Sequence, residues 1–170
     1  MEFTDLVKER YSCKKFSDVH MKKNNLEAIL EAGRLAPTVR NGQEHHVYVM
    51  HSDEALSLVD TLTPCRYGAT VVLVVTYDDE KSFTYPGGKR KTGAEDATIV
   101  ATHMMLAAAN EGIASCWINN FDPEVVEKAI KLPESEKVLM MLDLGFAAEG
   151  AGPLPNHTKR KTREELVTFL

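Results

Sequence analysis

Two apolar stretches restrict the folds that this chain can adopt. The stretches ATVVLVVTYD (69–78) and KVLMMLDLGF (137–146) are apolar at most successive positions, whereas a strand with one face in water alternates apolar and polar residues. Each stretch therefore predicts a strand that is covered on both faces. The sheet that contains them is expected to lie inside the fold, with other elements packed on its two sides.

The rest of the chain predicts a mixture of helices and shorter strands. Helical spacing of apolar residues, with caps and prolines at the ends, occurs in four further segments: FTDLVKER, NNLEAILEAGRLAP, DPEVVEKAIKLP and the C-terminal TREELVTFL. In the second of these, Asn24 is the expected N-cap and Glu27 completes a capping box. The segments HVYVMH and SCWI predict two shorter strands. Because strands and helices do not alternate strictly, we expect an α+β fold.

The segment EDATIVATHMMLAAANEG (95–112) predicts a helix that is apolar on almost all sides. Such a helix is expected to be buried over most of its surface. In a chain of 170 residues, either the core of a monomer or a second subunit can provide that burial, and the segment alone favours neither.

Composition narrows the functional classes. The chain has 20 Lys and Arg against 25 Asp and Glu, a formal charge of −5, which argues against nucleic-acid binding as the main task. Cys13, Cys65 and Cys116 lack C-x-x-C spacing and the six histidines lack metal-ligand spacing, so neither a disulfide framework nor a metal site is indicated. With no signal-peptide pattern and no apolar stretch of about 20 residues, we expect a cytoplasmic protein that does not enter a membrane.

The segment RYSCKKF (10–16) suggests an anion-binding row. In an extended segment alternate side chains point to the same side, so Arg10, Ser12 and Lys14 would present two cations and a hydroxyl together. An isolated segment of this composition is more often a solvated basic stretch, and other segments have to decide between the two interpretations.

Five segments together resemble the FMN-dependent nitroreductases. RYSCKKF, LAPTVRNGQ, GIASCWINNFD, LDLGFAAEG and KRKTREELV occur in the order and approximate spacing of that family, over nearly the whole chain. The family's first motif, R-x-S-x-[RK], is matched by Arg10, Ser12 and Lys14, and its second, A-P-[ST]-x-x-N-x-Q, is matched from Ala36 to Gln43. By this resemblance, the row in RYSCKKF binds a flavin mononucleotide.

The resemblance implies one domain over residues 1–170, with a central, mostly antiparallel sheet flanked by helices. It implies a homodimer with a largely buried central helix and with FMN bound noncovalently at the subunit interface. The implied activity is ping-pong oxidoreduction, in which NAD(P)H passes a hydride to flavin N5 and leaves. A nitroaromatic, a quinone or a similar small electron acceptor then takes its place.

The resemblance also implies which residues hold the cofactor. Arg10 suits the phosphate, Ser12 the ribityl or phosphate oxygens, and Lys14 the N1 side of the ring, where a positive charge stabilises the reduced flavin. Arg160 would be a second phosphate cation, and Lys14 and Asn119 are the expected catalytic residues. The full set of expected cofactor contacts is Arg10, Tyr11, Ser12, Lys14, Pro37, Thr38, Asn41, Gln43, Trp117, Ile118, Asn119, Asn120, Lys159 and Arg160. Of these, the second subunit is expected to contribute Pro37, Thr38 and Asn41.

Other interpretations stay open at the level of sequence. Trp117 would equally suit the core, and the basic cluster 159–163 would suit a solvated helix entry or an adaptor surface for an acidic partner. Glu44 and His45 stand where the family commonly has Pro and an aromatic residue. This difference leaves open the hypothesis that the protein binds flavin but does not catalyse a reaction with it. A specialised enzyme of the same family, such as a dehalogenase or a flavin-consuming oxygenase, is a further alternative. The motifs do not identify the electron acceptor, the choice of NADH or NADPH, or the reduction potential of the flavin. They also assign no role to the segment around Arg66.

Overall fold

A four-stranded antiparallel sheet forms the centre of the protein. The computed structural model describes residues 2–170, so Met1, the first residue of the expected domain, lies outside it. The strands are β1 (His45–Met50), β2 (Val71–Asp78), β3 (Ala114–Ile118) and β4 (Glu136–Gly145). Their order is β1-β2-β4-β3, and all three pairings are antiparallel. This sheet, with helices on its two sides, confirms the predicted α+β fold.

Residues 2–170 contain six α-helices: α1 (Phe3–Glu9), α2 (Lys23–Arg34), α3 (Asp53–Leu62), α4 (Gly93–Asn110), α5 (Pro123–Ala129) and α6 (Arg163–Leu166). A short 3-10 turn spans Val39–Asn41. All the helices except α3 fall in segments that predict a helix. The start of α3 is capped by Ser52, whose Oγ accepts a hydrogen bond from the Ala55 N–H at 3.2 Å. No helix in the described part of the chain is long and apolar enough to cross a membrane.

The predicted capping box of α2 is wrong. The helix begins at Lys23, so Asn24 and Glu27 lie inside it rather than at its entrance. The extended residue before the helix is Lys22, whose side chain makes no capping bond. A cap is worth about 1 kcal/mol, and the burial of one face of α2, centred on Ile29, outweighs its loss.

Two layers of helices cover the sheet. On one face, Ile29 from α2 and Val100 from α4 pack in a core with Leu73 of β2. On the other face, Val59 from α3 and Val126 from α5 pack in a core that takes the alternate residues of β2 and β4. The two central strands are therefore buried on both faces, as their apolar stretches predict.

The N-terminal segment runs along the exposed edge of β3. Ser12 forms a parallel bridge with Ser115, and the Cys13 N–H donates to the Ser115 carbonyl oxygen at 2.9 Å. Cys13 is buried, whereas Ser12 and Lys14 on either side of it are exposed. The segment is thus extended, and Ser12 and Lys14 share its outer side as the alternation predicts.

Helix α4 crosses the face of the sheet between α2 and β2. Its buried side is formed by Gly93, Asp96, Ala97, Val100, Ala101, Met104 and Ala108. The opposite side carries Ile99, which is 37% exposed, and the half-buried Leu106. The prediction of a largely buried central helix is confirmed, and its contact with a second subunit stays a prediction.

We expect Gly93→Ala to destabilise the protein. A methyl group at Gly93 would overlap the Tyr77 ring and the Ser82 hydroxyl, because the first turn of α4 is packed directly against both. Overpacking of this kind costs about 1–3 kcal/mol of unfolding free energy, which urea denaturation would measure. Gly152→Ala is the matched control, since no atom lies within 4 Å of the added carbon. Equal stability of the two variants would contradict the close packing at Gly93.

Candidate functional site

A cleft of about 370 Å³ lies where the N-terminal segment, β3 and the C-terminal loop (154–160) meet. We call it the Lys14 cleft, and the residues that line it are Ser12, Lys14, Cys116, Trp117, Leu154, Asn156, His157 and Arg160. Segments that are far apart in the sequence therefore share one site. The cleft brings together four of the predicted cofactor contacts, namely Ser12, Lys14, Trp117 and Arg160.

Backbone pairing positions two walls of the cleft. Ser12 and Lys14 project into it because Cys13 between them is buried and bonded to β3. Trp117 projects from β3, and its Nε1–H donates to Asn119 Oδ1 at 2.9 Å. This bond joins the indole to Asn119 at the end of the strand, and the partly buried indole also packs against the core beneath α2 and α4.

The C-terminal loop forms the third wall. His157 Nε2 donates to the Lys8 carbonyl oxygen of α1 at 3.2 Å, which ties the loop to the N-terminal helix. The Arg160 guanidinium donates to the carbonyl oxygen of Lys159 at 2.8 Å and to that of His157. These bonds hold Arg160 on the same cleft as Lys14.

Lys14 and Arg160 make the cleft positive in a chain whose formal charge is −5. No acidic side chain is among the lining residues. Within residues 2–170 neither cation forms an ion pair, and both are exposed to solvent. The arrangement can therefore bind an anion next to an aromatic ring.

Arg10 and Tyr11 line a neighbouring cavity of about 240 Å³ and not the Lys14 cleft. The other walls of that cavity come from α1, α4 and the start of β3, and include Leu6, Glu9 and Ala109. The separation has a local cause. Helix α1 ends at Glu9, and the Arg10 N–H still donates to the Leu6 carbonyl oxygen at 3.0 Å. Arg10 therefore belongs to the helix end, before the extended segment begins.

The second motif forms a tight loop that does not line the Lys14 cleft. The Gln43 N–H donates to Thr38 Oγ1 at 3.0 Å, and Gln43 Nε2 donates to the Asn41 carbonyl oxygen at 3.2 Å. Arg40, Asn41 and Gln43 have φ angles of 55°, 55° and 57°, which residues other than glycine rarely adopt. Pro37 and its neighbours thus stand on a separate surface of the same subunit.

Four further predicted contacts also lie outside the lining of the cleft. Asn119, one of the two predicted catalytic residues, accepts the Trp117 Nε1–H but does not line the cleft. The Ile118 side chain is buried in the core beneath α3 and α5. The Asn120 amide is turned towards Cys65. Lys159 is exposed and contributes its carbonyl oxygen to Arg160.

Glu44 and His45, which depart from the family pattern, stand at the entrance of β1. The Glu44 carbonyl oxygen accepts from the Asp78 N–H at 2.8 Å. His45 is half-buried, its Nδ1 has no partner among the described residues, and burial lowers the pKa of its imidazole. Neither residue lines the Lys14 cleft.

The segment around Arg66 forms a loop, residues 63–70, next to Lys14. Arg66 anchors this loop, because its Nε and Nη2 donate to Asp60 at 2.7 and 2.6 Å and its Nη1 donates to the Ala69 carbonyl oxygen at 2.7 Å. The Lys14 Nζ lies 5.7 Å from the centre of the Tyr67 ring. Arg66 therefore has a structural role that depends on α3, the helix that the sequence patterns did not reveal.

Cys65 lies in this loop in an environment that favours its thiolate. The neighbouring Tyr67 hydroxyl, and after it the Asn120 amide 3.4 Å from Sγ, lower the pKa of the Cys65 thiol. The positive charge of Lys14 acts in the same direction. By contrast, burial raises the pKa of the Cys116 thiol to about 12.

Four residues line the Lys14 cleft without having been predicted. Cys116 precedes Trp117 in a matched motif, so its position was open to inference from the sequence. Leu154, Asn156 and His157 belong to no recognisable pattern. Only the closure of the C-terminal loop over α1 brings them to the site.

Comparison with known proteins identifies the family. The sequence model of the Nitroreductase family matches residues 7–67 and 64–146, and the chain therefore belongs to the nitroreductase family. A nitroreductase family protein from Clostridium difficile 630 has the same fold, with a TM-score of 0.93 and 30% identity over 99% of this chain and 98% of that chain.

Two other similar proteins are informative. A relative from Archaeoglobus fulgidus, named "Putative NADH dehydrogenase/NAD(P)H nitroreductase", is 28% identical over 152 residues, which is 85% of either chain. An FMN-dependent nitroreductase from Clostridium difficile R20291 has a TM-score of 0.79 at 24% identity over 98% of both chains. The similarity to the second of these proteins concerns the fold alone.

We expect Cys65 to react with iodoacetamide at least about tenfold faster than Cys13 and Cys116 near neutral pH, because the thiolate is the nucleophile and the other two thiols are buried. Site-resolved alkylation rates, measured by peptide mass spectrometry on the native protein, test this. The rate at Cys65 should follow a pKa below that of a free thiol.

Asn120→Ala is the matching variant, since it removes one donor and should move the pH dependence of Cys65 alkylation upwards. Alkylation of Cys116 at the rate of Cys65 would contradict the described burial.

Proposed function

We propose that the protein is an FMN-dependent NAD(P)H oxidoreductase that reduces nitroaromatic, quinone or similar acceptors. The observation that carries the proposal is the Lys14 cleft, in which Lys14 and Arg160 stand beside Trp117 and Ser12. Membership of the nitroreductase family supports it. So do the names of two similar proteins, one FMN-dependent and one a nitroreductase for NAD(P)H.

The lining of the cleft fits the chemical parts of FMN. A guanidinium offers paired, permanently charged donors to a phosphate, which suits Arg160, and the Ser12 hydroxyl suits a ribityl oxygen. Trp117 offers an aromatic surface to the ring. The volume of about 370 Å³ lies within the range of roughly 300–1,000 Å³ that is usual for small-molecule sites. Arg10 faces the neighbouring cavity, so we assign the phosphate to Arg160 first.

In this proposal the protein contributes positioning and charge. Bound FMN would supply the ring that accepts a hydride from NAD(P)H and passes electrons to the acceptor. Lys14 would stabilise negative charge in the cleft, since no carboxylate lines the cleft to compensate it. Asn119, held by the Trp117 Nε1–H at 2.9 Å, would orient a ligand at the end of β3.

We further propose a homodimer in which the second motif of one subunit completes the Lys14 cleft of the other. The resemblance assigns Pro37, Thr38 and Asn41 to this contact, and Gln43 shares their loop. Two observations support the proposal. The loop contains three residues with positive φ, and such strain concentrates at functional sites. Ile99 is exposed on α4, where a second subunit could cover it. Residues 1–170 would then form one FMN-binding domain per subunit.

We also propose a cytoplasmic location. Cys13, Cys65 and Cys116 are free thiols in the structure. Thiols stay reduced in the cytoplasm, where NAD(P)H is also available.

A visible absorption spectrum tests the proposal directly. The purified protein is soaked in FMN, desalted and mixed without oxygen with NADH or NADPH. Retained flavin bands that bleach on mixing would support the proposed activity. Retained bands that do not bleach would favour a flavin-binding module, and the absence of retained flavin would contradict the proposal. Acceptor profiles with and without oxygen then separate general nitro and quinone reduction from a dehalogenase or a flavin-consuming oxygenase.

We expect Arg160→Ala to weaken FMN binding by about tenfold to a hundredfold while leaving the affinity for riboflavin unchanged, because riboflavin lacks the phosphate. Fluorescence titration with both ligands measures this. Lys161→Ala is the control, since Lys161 is an exposed cation next to Arg160 that does not line the cleft. An equal loss of affinity for FMN and riboflavin would show that Arg160 does not bind the phosphate.

We expect Lys14→Met to weaken FMN binding and to slow single-turnover reduction by NADH by about tenfold or more, because methionine keeps the length of the side chain without its charge. Stopped-flow absorbance measures the rate. Lys15→Met is the matched control, since Lys15 Nζ donates to the Glu149 carbonyl oxygen at 3.0 Å and does not line the cleft. A wild-type rate in Lys14→Met would exclude the proposed role of the charge.

A further inference from the structure

Asp143 is an acidic residue without a partner in the interior of the sheet. It lies in β4 between two buried leucines, and its side chain has no exposed surface. Neither carboxyl oxygen has a hydrogen-bond partner among residues 2–170. Buried polar groups nearly always have such partners, so an orphaned carboxyl in a core requires an explanation.

The register of the sheet places Asp143 directly behind the wall of the Lys14 cleft. Its partner on β3 is Cys116, which lines the cleft, and its partner on β2 is Val72. Opposed residues of antiparallel strands point to the same face, with their Cβ atoms about 4.5–5.5 Å apart. The carboxyl group is therefore about one side chain away from the cleft.

Among the charged groups that act on Asp143, Arg66 favours the charged form of the carboxyl, whereas Cys65 and Asp60 oppose it. On β2 the residue opposite Asp143 is the apolar Val72, which offers no hydrogen bond from its side chain. The titratable and charged groups near it are Cys116 on β3, Cys65, Arg66 and Tyr67 in the 63–70 loop, and Asp60 on α3. Beyond Cys116 lie Lys14 and Cys13 of the N-terminal segment.

Arg66 is the cation that acts on Asp143, but it makes no hydrogen bond to the Asp143 carboxyl, and three of its N–H groups are bonded elsewhere. Its Nε and Nη2 bind Asp60, and its Nη1 binds the Ala69 carbonyl oxygen. Burial is therefore the dominant influence, and it raises the pKa of the Asp143 carboxyl to about 9.

We propose that Asp143 is a positioning residue for the Lys14 cleft: it stays uncharged in the folded protein and so leaves the positive charge of Lys14 free to act on an anion bound there. The inference rests on the proposed function for the identity of that anion, FMN. Two unit charges about 10 Å apart at an effective dielectric constant of about 20 change each other's equilibria by roughly tenfold. The coupling is reciprocal, so an anion in the cleft strengthens proton binding at Asp143.

The charge state of Asp143 can be measured without any ligand. Urea unfolding of the wild type and of Asp143→Asn is compared from about pH 5 to about pH 8. In this range the folded wild type binds one proton more than its unfolded chain, where the carboxyl is ionised. The stability of the wild type relative to the variant should therefore fall as the pH rises, by about tenfold in the unfolding constant per pH unit. A constant difference over this range overturns the inference.

Asp143→Leu provides a second reference that does not titrate. It restores the apolar character of the strand and replaces Asp143→Asn in the comparison if the asparagine variant does not fold. The same fall in relative stability is expected against either reference.

The coupling to the cleft is measured by calorimetric titration with FMN near pH 9, close to the pKa of Asp143, in buffers of different ionisation enthalpy. The wild type should take up a measurable fraction of a proton more per FMN than Asp143→Asn. A merely structural role of Asp143 would not change proton uptake. Equal uptake overturns the coupling.

Failure of the proposed function would give a different result. If neither the folded wild type nor folded Asp143→Asn binds FMN, the proposed cofactor is wrong, and so is the proposed coupling between FMN and Asp143. The pH dependence of unfolding still decides whether Asp143 carries a charge.

Discussion

One backbone hydrogen bond organises the site. The Cys13 N–H donates to the Ser115 carbonyl oxygen at 2.9 Å and attaches the N-terminal segment to the edge of β3. This pairing buries Cys13 and turns Ser12 and Lys14 outwards, next to Trp117. The same segment is tied to the 63–70 loop, because the Phe16 N–H donates to the Tyr67 carbonyl oxygen at 3.1 Å. The Lys14 cleft and the loop that carries Cys65 thus share one backbone frame.

Pairing and burial, rather than total charge, decide where this protein can bind an anion. Arg66 is engaged by Asp60 and by a carbonyl oxygen, so it contributes little to any site. Lys14 and Arg160 have no acidic partner in the described residues and share a cleft. Asp143 lies behind that cleft, but burial keeps its carboxyl neutral at ordinary pH, so it does not cancel the charge of Lys14. A negatively charged chain can therefore present a positive cleft.

Features of the fold that depend on residues close together in the sequence were predictable from the sequence. The apolar stretches of β2 and β4 are buried on both faces. The segment DPEVVEKAIKLP begins with Asp, a residue that favours the N-cap position, and Asp122 Oδ1 does accept from the Glu124 N–H at the start of α5, at 3.0 Å. The capping box at Asn24 failed because the packing of α2 on the core competes with a cap and outweighs it. A local signal is reliable where no tertiary interaction competes with it.

The sequence by itself determined the elements other than α3, the internal sheet and the candidate residues Ser12, Lys14 and Arg160. Only the tertiary structure decided which residues share a cleft: Arg10 faces another cavity, and the second motif lies on a separate surface. Asp143 is inconspicuous in its apolar stretch, and only the register of β4 against β3 places it behind Cys116. The physical reason is the separation along the chain of the residues that interact. Periodicity and capping act between neighbouring residues, whereas strand pairing and loop closure join residues that are distant in the chain.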